Sequence, residues 1–419
     1  MKETYNALIN TQEFASQIHP QLKLVSKPST EFVPQVLNRS IASILKAGVT
    51  KRDIEEEDPF FVCDLGEVAR QHAQWKRLLP RVQPFYAVKC NPDPAEIQLA
   101  LDAGVDSSRI IYANPCKQAS HIKFASSKNV NVMTFDNADE LYKIKMVAPE
   151  SQLVLRILTD DSKSVCRFGV KFGASLSIVP YLLETAKSLN LDVIGISFHV
   201  GSGCFDATSF TDAVELARKA FDIGEALGFN FTLLDIGGGF PGNNPEGLQF
   251  KDIAALLGPT IDRLFPPHIR VISEPGRYFV SSAFTLAVNI QARRVVSLDA
   301  EGNPTDPTHD ENPSFMYYIN DGMYGSFNCI TFDHAVVKMK PLCRSGTFMY
   351  EQEHSLKLFE SSVWGPTCDS IDLIGRNIFL PEMKIGDWLS CSHMGAYTIA
   401  AASTFNGFKK SNVIYTDTN

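Results

Sequence analysis

The sequence predicts an α/β protein: a (β/α)8-type barrel with one strand–helix step missing, followed by a mostly β C-terminal domain. From residue 84 onward, near-continuous apolar strand candidates alternate with helix patterns. Repeated strand–helix units favour a parallel sheet that is covered on both faces. Polar side chains cluster where those strands end, which is the edge at which such a barrel places its active site. After about residue 284, strand patterns punctuated by Gly, Pro and Asn replace the helix patterns.

The barrel segment contains seven strand candidates, whereas a closed barrel of this type has eight strands. They read FYAVK, RIIYANP, VNVMTFD, LVLRIL, VIGISFHVG, FTLLDIGGGF and RVISEPGRYF. Helix patterns such as ASHIKFASSKN and DAVELARKAFDIGEALG lie between them. The spacing is irregular in one place, because only CNPDP separates the strand ending at Lys89 from the next helix pattern, AEIQLALDAGV.

The length and composition predict more than one domain and exclude several classes of protein. With 419 residues, we expect an N-terminal extension over 1–58 that partly joins the β domain, a barrel over 59–283, and a β domain over 284–419. The net charge of −8 disfavours a nucleic-acid partner. Nine cysteines without a CxxC pair argue against a zinc site and a secreted disulfide scaffold. Because no apolar run resembles a signal peptide or membrane span, we expect a cytoplasmic protein with no membrane association and no metal site.

Lys89 is the first residue with a chemical interpretation. A lysine at a strand end is more often a surface charge. Here it follows an apolar strand and faces the predicted barrel mouth. A desolvated lysine has a lowered pKa and can form a Schiff base with a carbonyl compound, and its position favours that role.

Two neighbouring loops carry groups suited to a phosphate. The motif DIGGGF contains three consecutive glycines, Gly237, Gly238 and Gly239. Such a run forms either an ordinary tight turn or a cup of backbone N–H groups. EPGRY ends the next strand and supplies Glu274, Gly276 and Arg277, whose guanidinium can bind phosphate through two hydrogen bonds. Late loops of a barrel often bind phosphate, so the two motifs together favour a phosphate site.

Further polar residues complete a cofactor site. SFHVGSGC places His199 and Ser202 after a strand. A lone histidine is more often structural, but its ring can stack on a planar cofactor. MGAYT supplies Tyr397. A Schiff-base lysine, a phosphate cup, a stacking histidine and an acid for a ring nitrogen together describe a pyridoxal-phosphate site.

The β domain adds a cysteine and two aspartates. Cys368 and Asp369 lie in the Gly/Pro loop WGPTCDSID, and FDH adds Asp333. A loop cysteine is usually inert, but beside a carboxylate in a cleft it can act as an acid or nucleophile. Two aspartates suit the cationic end of a substrate.

The chain resembles the eukaryotic ornithine decarboxylase family, in the alanine-racemase-like class (fold type III) of pyridoxal-phosphate enzymes. The resemblance covers roughly residues 60–415 and rests on ordered motifs: PFYAVKCN, IIYANPCKQ, FHVGSGC, DIGGGFPG, EPGRY, DGMYGSFNCI, GPTCDSID and MGAYTIAAASTFNGF. It implies decarboxylation of ornithine to putrescine, with pyridoxal 5′-phosphate as cofactor.

The resemblance also implies a role for each residue of the site. Lys89 would hold the cofactor covalently, Glu274 would pair with the pyridine nitrogen, and His199 would stack on the ring. Arg156 would support the cofactor from its strand end. The phosphate would be held by Ser202, Gly237, Gly238, Gly239, Gly276, Arg277 and Tyr397.

A homodimer with shared active sites is a further implication of the resemblance. Cys368, Asp369 and Tyr324 would come from the partner subunit. Lys171 and Asp372 would form a salt bridge between the subunits. Antizyme is a second partner that membership of this family would suggest.

Substrate recognition would rest on carboxylates. Asp333 and Asp369 would bind the distal ammonium of ornithine, and Cys368 would return a proton to the α-carbon after carbon dioxide leaves. Lysine or another basic amino acid is a weaker alternative substrate. A catalytically dead, antizyme-inhibitor-like binding protein is the other alternative, and the retained cofactor residues favour the enzyme.

The chain departs from the family pattern after the KCN motif. Family members continue through a helix to a strand reading like GFDCAS, whose aspartate lies near the cofactor. This chain passes directly from KCNPDP to AEIQLALDAGV. A step of roughly 15–20 residues is therefore missing after Pro94, because parallel strands need a crossover of a dozen or more residues. Unpaired strand edges beside the cofactor predict poor folding and weak or no activity.

Overall fold

The structure is a computed structural model, and it describes residues 39–50, 57–91, 101, 104–242, 247–298, 303–305, 313–352 and 355–418. The predicted helix AEIQLALDAGV lies largely outside these residues, as does the N-terminal extension before residue 39. Within the described ranges, no helix is long and apolar enough to cross a membrane.

A fully parallel sheet forms the first part of the fold. The strands up to residue 273 are β1 (Phe60–Asp64), β2 (Val82–Pro84), β3 (Ile111–Tyr112), β4 (Val132–Phe135), β5 (Gln152–Arg156), β6 (Ser164–Cys166), β7 (Asp192–Ser197), β8 (Ser202–Cys204), β9 (Leu233–Asp235) and β10 (Arg270–Ser273). Seven of them form a sheet in the order β2-β10-β9-β7-β5-β4-β3. Six of them coincide with predicted strands, and β2 lies just before the seventh, so the α/β barrel architecture is confirmed.

Helices alternate with the strands of this sheet, as predicted. The described α-helices are α1 (Ile41–Thr50), α2 (Leu65–Leu78), α3 (Ala119–Ser127), α4 (Ala138–Val147), α5 (Val179–Ser188), α6 (Thr208–Ala226), α7 (Phe250–Leu264), α8 (Arg277–Val280) and α9 (Asn328–Phe332). In α6 the buried side chains include Phe210, Val214, Ala217 and Phe221. Their spacing of three or four residues forms the apolar stripe that packs against the sheet.

The sheet is open between β2 and β3. These two strands are neighbours in sequence among the seven, yet they lie at opposite edges of the sheet. β2 pairs with β10, which is the last strand of the series, so the barrel is closed on that side. No strand of the described residues pairs with the other edge of β2 or of β3. The opening therefore lies between the same two strands as the strand–helix step that was predicted to be missing after Pro94.

The segment leading to Lys89 differs from its prediction because of this opening. A strand was expected from Pro84 to Val88, but β2 ends at Pro84. The N–H of Phe85 still donates to the carbonyl of Ser273, the last residue of β10, at 2.7 Å, and the N–H of Ala87 donates to that of Pro275 at 3.0 Å. On the other side no described strand continues the ladder, and Val88–Cys90 forms a single 3-10 turn. Lys89 therefore lies on that turn and not at the end of a strand.

The C-terminal part is mostly β, as predicted. Its strands are β11 (Phe284–Leu298), β12 (Pro304–Thr305), β13 (Ser314–Ile319), β14 (Met339–Arg344), β15 (Thr347–Phe348), β16 (Leu358–Trp364), β17 (Leu373–Pro381), β18 (Trp388–Cys391) and β19 (Asn412–Thr416). The main path of the sheet runs β15-β14-β18-β11-β13-β16-β17. Short 3-10 helices follow at Ile399–Ala401 and Phe405–Gly407, and another precedes β3 at Ser107–Arg109.

Strand β1 belongs to this second sheet, although the predicted boundary at residue 59 placed it with the barrel. It pairs antiparallel with β11 and parallel with β19, and all five of its residues are buried. Helix α1 packs nearby, where Leu45 joins Phe60 and Trp388 in an apolar cluster. A buried apolar strand has the same pattern in either sheet, so sequence could not assign its partner. The remaining domain boundaries stay predictions.

Candidate active site

A cleft at the carboxyl edge of the parallel sheet brings together most of the predicted cofactor residues. It is lined by Ala87, Lys89, His199, Ser202, Gly239, Phe240, Glu274, Gly276, Arg277 and Tyr397. They follow strands β2, β7, β9 and β10, except for Tyr397, which comes from the β domain. Elements distant in sequence thus build one site. Arg156, Gly237 and Gly238 are the predicted cofactor residues outside this lining.

The three consecutive glycines serve different purposes. Gly239 lines the cleft. A Cβ atom on Gly237, whose φ is +62°, would lie 2.1 Å from the carbonyl oxygen of Phe198. A Cβ atom on Gly238 would lie 2.6 Å from the carbonyl oxygen of Glu274. These two glycines therefore allow the loop to pack directly against its neighbours. The sequence alone could not distinguish this packing role from phosphate binding.

Arg277 is held by residues of both parts of the fold. Its Nη2 donates to Ser202 Oγ at 3.1 Å and to Asp333 Oδ1 at 2.6 Å. Its guanidinium carbon lies 5.2 Å from the ring centroid of Tyr397. Tyr397 has a φ of +57°, a left-handed conformation that is strained for a bulky residue and recurs at functional sites. Asp333 was predicted to bind the distal ammonium of the substrate, and its pairing with Arg277 was not predicted.

His199 faces the cleft as a neutral imidazole. The N–H of Gly201 donates to its Nδ1 at 3.0 Å, so that nitrogen carries no proton. Desolvation lowers the pKa of His199 well below its ordinary value, and the nearby charges of Arg156 and Lys89 lower it further. Its flat ring is thus positioned by the backbone and uncharged, as stacking on a planar cofactor requires.

Lys89 is exposed in this structure, so the prediction of a desolvated lysine is wrong. Its Nζ lies 5.4 Å from the ring centroid of Phe168. The Phe168 ring also meets His199 edge-on, with centroids 4.8 Å apart. Phe168 was not predicted as a site residue, because the loop RFGVKFG contains two phenylalanines and no sequence pattern distinguishes them.

Asp235, which was not predicted as a site residue, carries a second carboxyl group that interacts with Glu274. Asp235 ends β9 and is fully buried, and its Oδ1 accepts a hydrogen bond from the N–H of Gly237 at 2.9 Å. Burial, followed by the charge of Glu274, raises the pKa of Asp235 well above its ordinary value. The uncharged form of Asp235 is therefore favoured in the folded protein. Its position immediately before the glycines in DIGGGF was the available signal.

A much larger cavity of about 1760 Å³ adjoins the cleft. Its lining shares Lys89, His199 and Glu274 with the cleft and includes Phe85 and Ile111 from the region of the open edges. Arg156 also lines it, with its guanidinium carbon 5.2 Å from the Phe172 ring centroid; burial lowers the pKa of that arginine. Among the described residues, no strand closes this cavity between β2 and β3, and the exposed Lys89 lies on its lining.

Cys368, Asp369 and Tyr324 line neither cavity. The Tyr324 hydroxyl donates to Asp369 Oδ2 at 2.6 Å, and its ring stacks on Phe405 at 4.1 Å. Cys368 is exposed. Within this chain these residues belong to the β domain and are not brought together with Lys89.

Asp372 is buried within the chain, at 1% exposure. It accepts hydrogen bonds from the N–H of Met323 at 2.7 Å and from the N–H and hydroxyl of Thr367 at 2.9 and 2.6 Å. These bonds fix the loop that carries Cys368. The carboxylate therefore has partners within the chain, and its salt bridge with Lys171 between subunits stays a prediction.

The residues of the cleft fit pyridoxal 5′-phosphate. Ser202, Arg277 and the loop at Gly239 would hold its phosphate, His199 would cover its ring, and Glu274 offers a carboxylate for its ring nitrogen. Lys89 reaches the same cleft. The donor set matches a phosphorylated, planar, nitrogen-containing aldehyde, while the open strand edges leave one side unsupported.

Comparison with known proteins places the chain in a class. The family described as "Pyridoxal-dependent decarboxylase, pyridoxal binding domain" matches residues 93–281. The solved arginine decarboxylase of Paramecium bursaria Chlorella virus superposes with a TM-score of 0.79 at 32% identity, over 89% of this chain and 98% of that chain. A lysine/ornithine decarboxylase from Vibrio vulnificus, solved with putrescine, gives 0.75 at 29% identity, over 91% and 99%. The fold and site therefore define a pyridoxal-phosphate-dependent decarboxylase.

Sequence relatives narrow the class. Ornithine decarboxylase of Mus pahari is 49% identical over 403 residues, which is 89% of this chain and 86% of that protein. Antizyme inhibitor 2 of Xenopus laevis is 46% identical over 410 residues, covering 90% and 88%. The chain belongs to the ornithine decarboxylase family, and its cofactor is pyridoxal 5′-phosphate.

Proposed function

We propose that this protein decarboxylates L-ornithine to putrescine and carbon dioxide at sites shared between two subunits. The observation that carries the proposal is the cleft, in which Lys89, His199, Glu274 and Arg277 converge from separate loops. High identity to ornithine decarboxylases supports the choice of substrate. All nine cysteines are free, which suits a reducing compartment such as the cytoplasm.

Each residue of the site has a separate role in the proposed decarboxylation. Bound pyridoxal phosphate supplies an electron sink for the carbanion that remains when carbon dioxide leaves. Lys89 would attach that group, Glu274 would pair with the ring nitrogen, and His199 would cover the ring. Cys368 gives a proton to the substrate α-carbon, and Asp369 binds the distal ammonium together with Asp333.

A homodimer brings the last group of residues to the cleft. Cys368 is exposed and lies in a loop of the β domain. Large apolar side chains of the same domain are also exposed: Phe332 by 68%, Ile371 by 62% and Val336 by 89%. Burial of such side chains favours association with a partner, and a two-fold dimer would place the Cys368 loop of one subunit beside Lys89 of the other.

The open barrel limits what this chain does with the site. Two unpaired edges and a large cavity beside Lys89 leave the cofactor partly unsupported, so weak turnover or none is expected. Inserting the missing strand–helix step between Pro94 and Ala95 should close the sheet, desolvate Lys89 and restore activity. An insertion of equal length made of Gly and Ser is the matched control, because it adds chain without strand character.

The test measures carbon dioxide released from carboxyl-labelled ornithine, lysine and arginine by the chain and by both insertion variants. Bound cofactor is followed by its absorbance, and Lys89→Ala is the negative control. Release from ornithine in preference to lysine and arginine, weak in the natural chain and greater in the strand-restored variant than in the Gly/Ser control, supports the proposal. A folded, cofactor-loaded dimer that releases nothing from ornithine would contradict it.

A binding function is the second candidate, favoured by the antizyme inhibitor among the relatives and by the open site. In that case the chain would bind antizyme without decarboxylating any amino acid. This alternative would be supported if the strand-restored variant captured purified antizyme and released no carbon dioxide from ornithine, lysine or arginine.

A further inference from the structure

Asp333 and Arg277 form the tightest charged contact in the described part of the cleft region. Nη2 of Arg277 lies 2.6 Å from Oδ1 of Asp333, and the two side chains are 21% and 6% exposed. Arg277 begins helix α8, directly after β10, whereas Asp333 follows helix α9 of the β domain. A charged hydrogen bond with so little solvent around it is stronger than a surface ion pair.

The remaining atoms of the pair point to separate uses. Arg277 has five N–H donors, and the contacts described for it, to Asp333 and Ser202, both start from Nη2. The Nε and Nη1 groups can therefore still face a phosphate. Oδ2 of Asp333 is buried and has no hydrogen-bond partner among the described residues, so one carboxylate oxygen is engaged and the other is available to a cation.

We propose that Asp333 is a positioning residue for the cofactor phosphate: one oxygen fixes the guanidinium of Arg277, while the other faces the ammonium of the substrate. Asp333 then links the binding of cofactor and substrate, because each ligand depends on the same carboxylate. This inference rests on the proposed function. It adds to that function a reciprocal coupling, in which substrate and cofactor change each other's affinity by the same factor.

Loss of cofactor affinity that depends on the phosphate is the distinguishing sign. Asp333→Ala should weaken binding of pyridoxal 5′-phosphate about tenfold, the order expected for a hydrogen bond between charged groups. Binding of pyridoxal, which lacks the phosphate, should change less than about twofold. Binding is measured by equilibrium titration of absorbance and tryptophan fluorescence, without substrate, in the natural chain and in the strand-restored variant.

Matched variants separate positioning from substrate binding and from damage to the fold. Asp369→Ala removes the other predicted ammonium ligand without touching Arg277 in its own protomer, so it should leave cofactor affinity unchanged. Asp333→Glu should recover part of the phosphate-dependent affinity. If Asp333→Ala does not fold, Asp333→Asn, which keeps the shape and removes the charge, is read by the same criterion.

A double-mutant cycle completes the test. In an Arg277→Ala background, Asp333→Ala should cause no further loss of pyridoxal 5′-phosphate affinity, because the residue that it positions is gone. Equal losses for pyridoxal and its phosphate, or additive losses in the cycle, would overturn the inference while the proposed function stands. If neither the natural chain nor the strand-restored variant binds pyridoxal 5′-phosphate, the proposed function and this inference both fail.

Discussion

Among single residues, Asp235 has the clearest pH dependence. Burial raises the pKa of this carboxyl well above its ordinary value in the folded protein, whereas the unfolded chain releases its proton above the ordinary pKa of about 4. As pH rises between those two pKa values, the unfolded state binds fewer protons, so the free energy of unfolding falls. The effect of Asp235 on stability is therefore favourable at low pH and lost as the pH rises.

Asp235→Asn should remove this titration. Relative to the unchanged protein, the variant should gain up to about 1.4 kcal/mol of unfolding free energy per pH unit above about pH 4. Urea unfolding of the cofactor-free protein at several pH values measures the difference. Parallel stability curves for the two proteins would show that Asp235 is ionised in the folded state.

Gly238→Ala tests the close packing behind the phosphate loop. Its new Cβ would lie 2.6 Å from the carbonyl oxygen of Glu274 and 2.9 Å from Nε2 of His199. We expect a loss of about 1–3 kcal/mol of stability, typical of overpacking, together with weaker cofactor binding. Gly258→Ala is the control, since its Cβ would lie 3.6 Å from Leu79 and a helical Gly→Ala change gains up to about 1 kcal/mol. Similar stability for the two variants would refute the packing argument.

At the scale of elements, the loop that carries Cys368 depends on Asp372. Removal of this carboxylate leaves three donors from Met323 and Thr367 without their acceptor. Asp372→Ala should therefore destabilise the protein by about 1–3 kcal/mol. Lys171→Ala should have little effect on stability, and the two changes should be additive in urea unfolding. A coupling above about 0.5 kcal/mol would instead support the inter-subunit salt bridge.

Sequence patterns predicted which segments are strands and helices better than they predicted strand partners. Apolar runs and helical spacing located the parallel strands and α6, because these patterns are local. The sheet to which β1 belongs is decided by long-range pairing, which no local pattern encodes. The same holds for strands β17 and β19. Lys89 does not lie on the strand that was predicted, because the described sheet has no neighbouring strand on that side.

The same limit applies to the site. Residues at strand ends, such as His199 and Glu274, were predictable because parallel strands end at one edge. The Arg277–Asp333 contact was not, since it joins two parts of the chain through side chains alone. Phe168 and Asp235 were missed for a related reason: their importance lies in what they touch.

For the whole molecule, the proposed sharing of sites gives a subunit-mixing experiment. Strand-restored Lys89→Ala and Cys368→Ala proteins should each be inactive. After mixing and exchange, half of the dimers are mixed and each has one intact site, so about a quarter of the unmutated activity should return. Carbon dioxide release measures the recovery.

The control mixes Lys89→Ala with Glu274→Ala. Both substitutions affect the barrel side of the site, so every site in a mixed dimer remains damaged and no activity should return. No recovery in the experiment would show that each subunit uses its own Cys368. Recovery in the control would show that Lys89 and Glu274 of one site come from different subunits.

The opening between β2 and β3 has a practical consequence. The interruption is confined to one point of the chain and one side of the barrel, while the cleft residues remain assembled around it. Such a protein has the form of a split reporter that lacks a single fragment. A peptide supplied separately, carrying the absent strand and helix, would be detected by the absorbance of the cofactor that it helps to retain.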